Sequence, residues 1–436
     1  MSFRTKFILI LLSATLTLYT VVGGWISIST GAQQPANDPN AQLRIFESVL
    51  QHIQQDYVDE PNMDKVRAGA LRGLAYGLDP YSTYLTPEQV REYNAGSRDN
   101  QAGIGAELSQ VASYLYVIAP MKGSPADQAG INAGDIIEYI DNKATRDISL
   151  YDAKQLLNGP AGSEVKLRVL RANSSPLTIT VKRGTSRAAA AEARLEAGKV
   201  GILRINSFAD GESVEVRNRL QDLVNKQGAQ KIVIDLRDTA GGSLSEAVAV
   251  ANMFIKDGLL AQTVGREGKS LKTFTADPKL ALFSGPVVVL IDTGTAGAAE
   301  VVASAIIERN RGQVVGEKSF GAGTEQQLFT LRGGDGLLLT TVKWATAGGK
   351  TFLGEDRAHS GVAPSVEVKG QEVAEAVDPE ELTGNDDDPI AKPDPGNEKP
   401  AATTPAPAPA VKPPTEDLQL KKALELLKDK PAAKAA

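Results

Sequence analysis

The chain has 436 residues, more than one ordinary hydrophobic core uses, which suits two or three domains joined by linkers. Its formal net charge is -6, from 53 acidic and 47 basic residues, and no segment carries a basic stripe, which argues against nucleic-acid binding. There is no cysteine, and the two histidines are His52 and His359, so disulfides, thiolate chemistry and a histidine-rich metal centre are excluded. The sequence predicts neither a metal ion nor a cofactor, and a Ser-His-Asp triad would need one of these histidines.

Residues 1–32 have the pattern of a signal peptide or a membrane anchor. Arg4 and Lys6 precede a long apolar run. The run is long for a cleaved signal, yet Thr30 and Ala32 offer small residues for cleavage, so both alternatives stay open. The basic flank keeps the start of the chain cytoplasmic. In a bacterial cell we therefore expect the remainder in the periplasm or at the cell exterior, anchored to the inner membrane if the segment is retained.

Residues 33–96 predict an N-terminal helical segment. Apolar residues recur at three- and four-residue spacing over Leu43–Ile53, the period of an amphipathic helix. A second helix is predicted over Met63–Tyr76, and Thr86 followed by Pro87 is typical of a helix start. The segment carries no obvious chemistry, so packing is its predicted role.

Residues 97–184 predict a small β-rich domain. Its elements are the β-like runs Leu115–Ile118, Ile136–Ile140 and Val165–Leu170 and one amphipathic helix, Leu150–Leu157. The string GSPADQAGINAGDIIEYIDN closely resembles a PDZ domain. The resemblance implies that Gly103, Ile104, Gly105 and Ala106 form the loop whose N–H groups capture a peptide carboxylate, with the peptide adding as a strand. Standing alone, these four residues would be an ordinary turn at a strand edge.

Residues 185–371 predict an α/β core with parallel strands, because strand and helix patterns alternate. The strands are Val200–Asn206, Lys231–Leu236, Pro286–Asp292 and Gln313–Glu317, and the helices are Glu212–Asn225, Leu244–Ile255 and Gly297–Glu308. Two further strands flank Gly333-Gly334, which predicts a hairpin.

The composition changes again toward the C-terminus. Residues 372–414 are rich in Pro and Ala, cannot bury enough apolar surface to fold alone, and are predicted to be an extended linker. Residues 415–436 predict an amphipathic helix with Leu420, Leu424 and Leu427 on one face. A helix this short is marginal by itself, so we expect it to dock onto the same chain or onto a second copy.

Several strings, taken in order, resemble the carboxyl-terminal processing, or tail-specific, serine peptidase family. They cover about residues 41–368 and include GILRINSF, VIDLRDTAGGSLSEAVAVANMFI, GTAGAAEVVASAI, VVGEKSFGAGTEQ and LTTVKWATAGGKTF. In that family a serine at a helix N-terminus attacks the peptide carbonyl, and a buried neutral lysine takes the proton of the serine. The resemblance implies an α/β protease-like core, a PDZ domain and an N-terminal helical segment.

The two positions that the resemblance assigns to this chemistry hold other residues. GTAGAAE leaves Gly297 where the nucleophile belongs, and GAGTEQ leaves Ala322 where the base belongs. Gln326, which orients the base in the family, is retained. Ala299 and Tyr81 replace a second serine and a histidine of the family pattern.

The resemblance also implies an oxyanion hole made by Gly241, Gly242 and the N–H of Ala298 at a helix start. A Gly-Gly pair alone would be typical of an ordinary βα turn. Asp238 and Ala240, in the same string, depart from the usual residues of the family.

Three other side chains are possible substitutes. Ser304 lies two turns into the predicted helix, and Lys318 belongs to the approach to the GAG turn. Thr295 is about one helical turn from the nucleophile position, and we expect it to lack an adjacent base.

The sequence therefore predicts an exported peptidase-like protein that binds the C-terminal tails of exported proteins through its PDZ domain and is catalytically inactive. The alternative is an active serine-type endopeptidase that cleaves proteins near their C-terminus. Besides these tails, the predicted partners are an active paralogue or a second copy in a homodimer.

Overall fold

The structure is a computed structural model that describes residues 39–96, 101–146, 148–172, 174–185, 189–370 and 416–428. The predicted signal or anchor and the predicted linker lie outside the described residues. Within the described part of the chain, no helix is both long and apolar enough to cross a membrane. The chain divides into two compact units, residues 1–70 and 71–436.

Two helices form the N-terminal segment, as predicted. Helix α1 spans Pro39–Asp56 and helix α2 spans Met63–Tyr76. The amide oxygen of Asn62 accepts the N–H of Lys65 at 3.0 Å and caps the start of α2. Most apolar residues of the α1 stripe are exposed, with Leu43 at 64%, and Ile53 is half-buried.

The predicted helical segment 33–96 is interrupted by a short strand, which the sequence analysis missed. Strand β1, Thr83–Leu85, pairs with residues 336–338 of the core. Tyr84 and Leu85 are buried there. A run of three residues is too short to show the alternating pattern of a strand, so the sequence does not reveal it. The strand forms because residues far along the chain pair with it. Helix α3, Pro87–Ala95, follows with the predicted Thr86 cap in a complete capping box.

The predicted β-rich domain is confirmed. Its elements are β2 Gln101–Ala102, β3 Ala106–Val111, β4 Tyr114–Pro120, α4 Pro125–Gln128, β5 Ile136–Ile140, β6 Lys143–Ala144, α5 Leu150–Leu157, β7 Gly159–Pro160, β8 Glu164–Leu170 and β9 Leu177–Lys182. The main sheet has the order β3-β4-β5-β8-β9. Its apolar side chains and the buried face of α5 form one core.

The α/β core follows the predicted alternation. Its elements are β10 Glu192–Glu196, β11 Val200–Arg204, α6 Glu212–Gln221, β12 Lys231–Asp235, α7 Leu244–Asn252, β13 Leu259–Val264, β14 Ser270–Thr275, β15 Val287–Ile291, α8 Ala298–Glu308, β16 Gly312–Gly316, β17 Thr324–Thr330, β18 Gly336–Thr346 and β19 Val366–Glu367. The central sheet has the order β10-β11-β12-β15-β16-β19, parallel from β11 to β19. All five residues of β15 are buried, as expected for a strand covered on both faces.

A second sheet and a terminal helix complete the core. The second sheet has the order β1-β18-β13-β14, and β17 and β18 form the predicted hairpin. Helix α9, Leu418–Lys428, is the predicted amphipathic helix. It packs through Ala423 and Leu427 against the central sheet of the same chain. Helices α7 and α8 pack in the other apolar cluster of that sheet.

Candidate functional site

The candidate site lies where three parallel strands of the central sheet end. The loops after β12, β15 and β16 meet there, as is common for sites in α/β sheets. The N–H of Ala296 donates to Thr239 O at 3.0 Å, and the N–H of Phe320 donates to Thr295 O at 2.9 Å. These two backbone bonds join the three loops.

Gly297 lies directly before α8, at the predicted nucleophile position. Its φ of 64° lies in the left-handed region, which favours glycine. A Cβ placed on Gly297 would lie 3.7 Å from both the N and the O of Gly241, an ordinary contact distance. The structure therefore brings the predicted nucleophile and oxyanion positions together and leaves room for a side chain.

Gly241 and Gly242 form the turn between β12 and α7, with φ of 76° and 87°. A Cβ on Gly242 would lie 2.6 Å from Phe208 Cβ and 2.7 Å from Phe208 O. No side chain fits at Gly242, so this glycine is required by the close approach of the two segments. Ala298, the third predicted oxyanion residue, is the first residue of α8 and is fully buried.

Ala322, at the predicted base position, follows β16 and is tied to the start of α8 through Glu300. Its N–H donates to Glu300 Oε2 at 2.9 Å. Its methyl group packs with an apolar cluster that includes Phe320 and, from the PDZ domain, Tyr116 and Ile118. The predicted base position is therefore apolar and faces the PDZ domain.

Glu300 organises this region, a role that its place in the GTAGAAE string did not predict. Its fully buried carboxylate accepts four hydrogen bonds, from Gly297 N at 2.7 Å, Ser319 Oγ at 2.5 Å, Gly321 N at 2.8 Å and Ala322 N at 2.9 Å. Burial raises the pKa of Glu300 to about 7, against the opposing effect of the four donors. Its position three residues after Gly297, the spacing of a capping box, was the signal that could have revealed it.

Gln326, the predicted orienting residue, belongs to a network of hydroxyl groups on β17 and β18. Its Nε2 donates to Thr324 Oγ1 at 2.7 Å and to Thr340 Oγ1 at 3.2 Å. The Thr340 hydroxyl donates in turn to Asp79 Oδ1 at 3.1 Å.

The substitute nucleophiles are held in structural contacts. Ser304 is buried and its hydroxyl donates to Val301 O at 3.1 Å. Thr295 does have a carboxyl neighbour, so the expectation that it would lack an adjacent base was wrong. Its Oγ1 lies 3.0 Å from Asp292 Oδ1 and 2.9 Å from Leu236 O, but it is fully buried, which keeps it from a polypeptide substrate.

The remaining candidate bases are engaged elsewhere. Lys318 Nζ donates to the carbonyl oxygens of Arg357 and Ala358 at 3.2 and 2.6 Å, and burial lowers its pKa. His359 Nδ1 lies 2.7 Å from Asp356 Oδ1 in an exposed pair. His52 pairs with Asp56 on α1 in a similarly exposed arrangement.

Asp238 and Asp292 form a pair of carboxyl groups beside the glycine turn. The N–H of Asp238 donates to Asp292 Oδ1 at 2.9 Å. Burial, followed by the nearby charge of Asp238, raises the pKa of Asp292 to about 7. In the sequence, Asp238 stands out only as a departure from the family pattern.

The predicted peptide-binding loop lies at the edge of the PDZ sheet. Gly103 exchanges backbone hydrogen bonds with Gly184, so its N–H is already used. Ile104 is buried in the domain core, Gly105 has φ of 71°, and Ala106 begins β3. The predicted carboxylate-binding loop therefore has at most the three N–H groups after Gly103 to offer a ligand.

The PDZ domain packs directly on the candidate site. Tyr116 of β4 stacks on Phe320 with ring centroids 5.5 Å apart. A Cβ placed on Gly241 would lie 3.0 Å from Glu107 Oε2 of β3, and Glu107 also pairs with Lys154 of α5 at 3.7 Å. The same residue thus lies beside the glycine turn and beside the helix that borders the predicted peptide groove.

Comparisons with known proteins agree with this arrangement. A profile of peptidase family S41 matches residues 199–368, and a PDZ-domain profile matches residues 116–171. The carboxy-terminal processing protease CtpA of Bacillus subtilis (strain 168) is 30% identical over 319 residues, 73% of this chain and 68% of that protein. A probable CtpA-like serine protease of Staphylococcus aureus (strain N315) is 32% identical over 369 residues, 84% and 73% of the two chains.

One solved structure is similar over most of its length. The photosystem II D1 C-terminal processing protease superposes with a TM-score of 0.62 at 27% identity, covering 74% of this chain and 86% of that chain. The α/β core with a PDZ domain seated at the ends of its parallel strands is thus the S41 peptidase architecture. The chain belongs to the CtpA-like family of C-terminal processing proteases.

Proposed function

We propose that this protein is an exported, CtpA-like protein that binds C-terminal tails of exported proteins through its PDZ domain and does not hydrolyse peptide bonds. The observation that carries the proposal is the pair Gly297 and Ala322, at the positions that the family resemblance assigns to the nucleophile and the base. Neither residue has a side-chain group that can attack a carbonyl carbon or take a proton.

The surroundings of Gly297 support this assignment. Gly297 precedes a helix N-terminus, where developing negative charge is stabilised, and it faces the turn at Gly241. The position has the space and the electrostatic setting for a nucleophile that the sequence does not supply.

The loss of the nucleophile and the base would leave only substrate binding and oxyanion stabilisation. In enzymes whose nucleophile and base have been removed, such effects retain roughly 10³ to 10⁴-fold acceleration over water. Uncatalysed peptide hydrolysis is so slow that this remaining activity would not amount to a working protease.

The alternative is an active serine-type endopeptidase that cleaves near the C-terminus, which the names of the relatives favour. A hydroxyl other than one at position 297 would then attack. A fluorophosphonate probe that labels the folded protein at one serine or threonine would support this alternative, whereas no labelling would argue against it.

The experiment that tests catalysis compares the protein with the double variant Gly297→Ser plus Ala322→Lys. The substrate is a denatured protein with an apolar C-terminal tail, and degradation is followed over time. The lysine introduced by Ala322→Lys would lie in the apolar cluster next to Phe320, where burial favours the neutral amine that a base requires. We expect activity only in the double variant, and activity in the unaltered protein would overturn the proposal.

Tail binding is tested separately with a fluorescent peptide that ends in apolar residues. We expect the free carboxylate form to bind at least about 10-fold more tightly than the C-terminal amide, because charge-assisted hydrogen bonds to backbone N–H groups would be lost. Equal affinity of the two forms would contradict capture of a C-terminus.

Location and partners follow from the same proposal. The export pattern of residues 1–32 would place the protein in the periplasm or at the cell exterior, held at the inner membrane if the segment is retained. As a noncatalytic protein it would act on an active paralogue or a second copy, presenting captured tails rather than cleaving them.

A further inference from the structure

Helix α9 is held on the central sheet at both of its ends by charged residues near the two ends of strand β12. Lys231, the first residue of β12, donates from Nζ to the carbonyl oxygen of Leu427 in the last turn of α9. Arg237, two residues beyond β12, donates to Asp417 at the other end. The positive charge at the helix C-terminus and the carboxylate at the N-terminus both complement the helix dipole.

Arg237 joins two carboxylates with its planar fork. Its Nε and Nη2 donate to Asp235 at 2.9 and 2.7 Å, and its Nη1 and Nη2 donate to Asp417 at 3.0 and 3.0 Å. Bidentate contacts of this kind fix the plane of the guanidinium group as well as its position. Asp417 therefore acts on the orientation of Arg237 from a position 180 residues away in the sequence.

Arg237 is also the residue that leads into the candidate site. The next five residues, 238–242, form the turn that contains Gly241 and Gly242. The Thr239 hydroxyl contacts the carbonyl oxygens of Ile205 and Arg237, at 2.8 and 3.1 Å. The Thr239 hydroxyl therefore ties the Arg237 backbone to this turn.

Asp417 makes a second contact, so its ionic contact with Arg237 and its capping of α9 can be tested separately. Its Oδ1 accepts the N–H of Leu420 at 2.9 Å, so it also caps the first turn of α9. Asparagine caps helices about as well as aspartate, but it has no charge to offer Arg237. The substitution Asp417→Asn therefore removes the ionic contact and keeps the cap.

We propose that Asp417 is a positioning residue for the candidate site, because through Arg237 it fixes the turn 238–242. The C-terminal helix α9 would then set the geometry of a distant turn after β12. The inference deepens the proposed function, because it takes this turn to be the carbonyl-binding part of the site.

The test uses the full chain and measures amide hydrogen exchange by mass spectrometry in peptides covering residues 237–242 and, separately, β12. The variants are Asp417→Asn, the conservative Asp417→Glu, and the control Glu425→Gln, which removes an exposed carboxyl from the same helix, where it pairs with Lys422 at 3.4 Å. We expect Asp417→Asn to speed exchange in 237–242 about 10-fold, with β12 within about two-fold of the unaltered protein. Asp417→Glu should restore part of the protection, and Glu425→Gln should change neither region.

Unchanged exchange in 237–242 would overturn the inference, as would an equal acceleration in β12, which would show that Asp417 only anchors the helix. This measurement requires neither tail binding nor catalysis. If the tail-binding assay fails while the turn responds to Asp417, the proposed function is wrong and the positioning role stands. If tails bind and the turn does not respond, the proposed function stands and the positioning role of Asp417 is wrong.

Discussion

Glu300 Oε2 accepts the N–H of Ala322 at 2.9 Å, so the loop after β16 is fastened to the first turn of α8. The same carboxylate also accepts the N–H of Gly297, directly before α8. One buried acid therefore holds both candidate catalytic positions, 297 and 322. This scaffold holds positions 297 and 322 through backbone N–H groups, so it does not depend on the side chains at these positions.

Glu300 should make stability depend on pH. Its pKa is raised from about 4.5 to about 7 by burial, so the folded state holds the proton more tightly than the unfolded state does. The contribution of Glu300 to the free energy of unfolding is therefore fully present below pH 4.5. It falls by about 3 kcal/mol as the pH rises through 7. Since glutamine does not titrate, the stability advantage of the unaltered protein over Glu300→Gln should shrink by that amount between pH 4.5 and 7.5.

Urea unfolding at a series of pH values measures this difference, and titration of Asp292 cancels because both proteins contain it. The control is Glu308→Gln, at the partly exposed end of the same helix. A stability difference for Glu300→Gln that stays constant with pH would show that the carboxyl group is already ionised throughout this range.

Gly242→Ala should be much more destabilising than Gly198→Ala. Both glycines have positive φ, 87° and 76°, but a Cβ at Gly198 would meet no atom within 4 Å, whereas one at Gly242 would collide with Phe208. Left-handed strain alone costs about 1 to 2 kcal/mol, and the collision adds roughly as much again. Thermal unfolding of the two variants checks this, and equal losses would mean that the Phe208 segment moves aside freely.

Asp238→Asn should stabilise the protein at pH 8 and leave stability unchanged at pH 4. The substitution removes a like charge that helps to raise the pKa of Asp292, and asparagine tolerates the positive φ of this position, 47°. Because Asp238 is exposed, solvent screens the repulsion and the gain should stay below about 1 kcal/mol. The exposed residue Asp257, changed to Asn, is the control, and the gain should fall at 1 M NaCl; a gain that is equal at both pH values would contradict an electrostatic origin.

Shortening the segment between the core and α9 should leave the helix docked. Gln419 Nε2 donates to Val368 O at 3.0 Å, so the described residues on either side of the segment 371–415 lie close together. Replacing these residues with an eight-residue Gly/Ser linker reduces the loop-closure entropy and should favour docking by about 1 to 1.5 kcal/mol.

Unfolding stability and solution mass together check this variant. A monomer that is as stable as the original, or more so, confirms docking within one chain. A doubled mass that appears only with the short linker would show that eight residues cannot span the gap within one chain, which would contradict the prediction. The control replaces the segment with a Gly/Ser linker of the original length.

Much of the fold follows from local patterns in the sequence. The alternation of strands and helices, the PDZ elements, the hairpin at Gly333-Gly334 and the cap at Thr86 each depend on neighbours within about ten residues. The Gly241-Gly242 turn was predicted in the same way. Such patterns are visible because hydrophobic periodicity and turn chemistry are properties of a short stretch of chain.

What only the tertiary structure decided depends on residues that are far apart in the sequence. Strand β1 exists because β18, some 250 residues later, offers it a partner, and Arg237 meets Asp417 only because α9 returns to the sheet. The four donors on Glu300 and the pairing of Asp238 with Asp292 likewise need separate loops to converge. The sequence by itself determined which residues stand at the two candidate catalytic positions. Folding decided what surrounds them, because burial and hydrogen-bond partners are set by the packing of distant segments and not by local sequence.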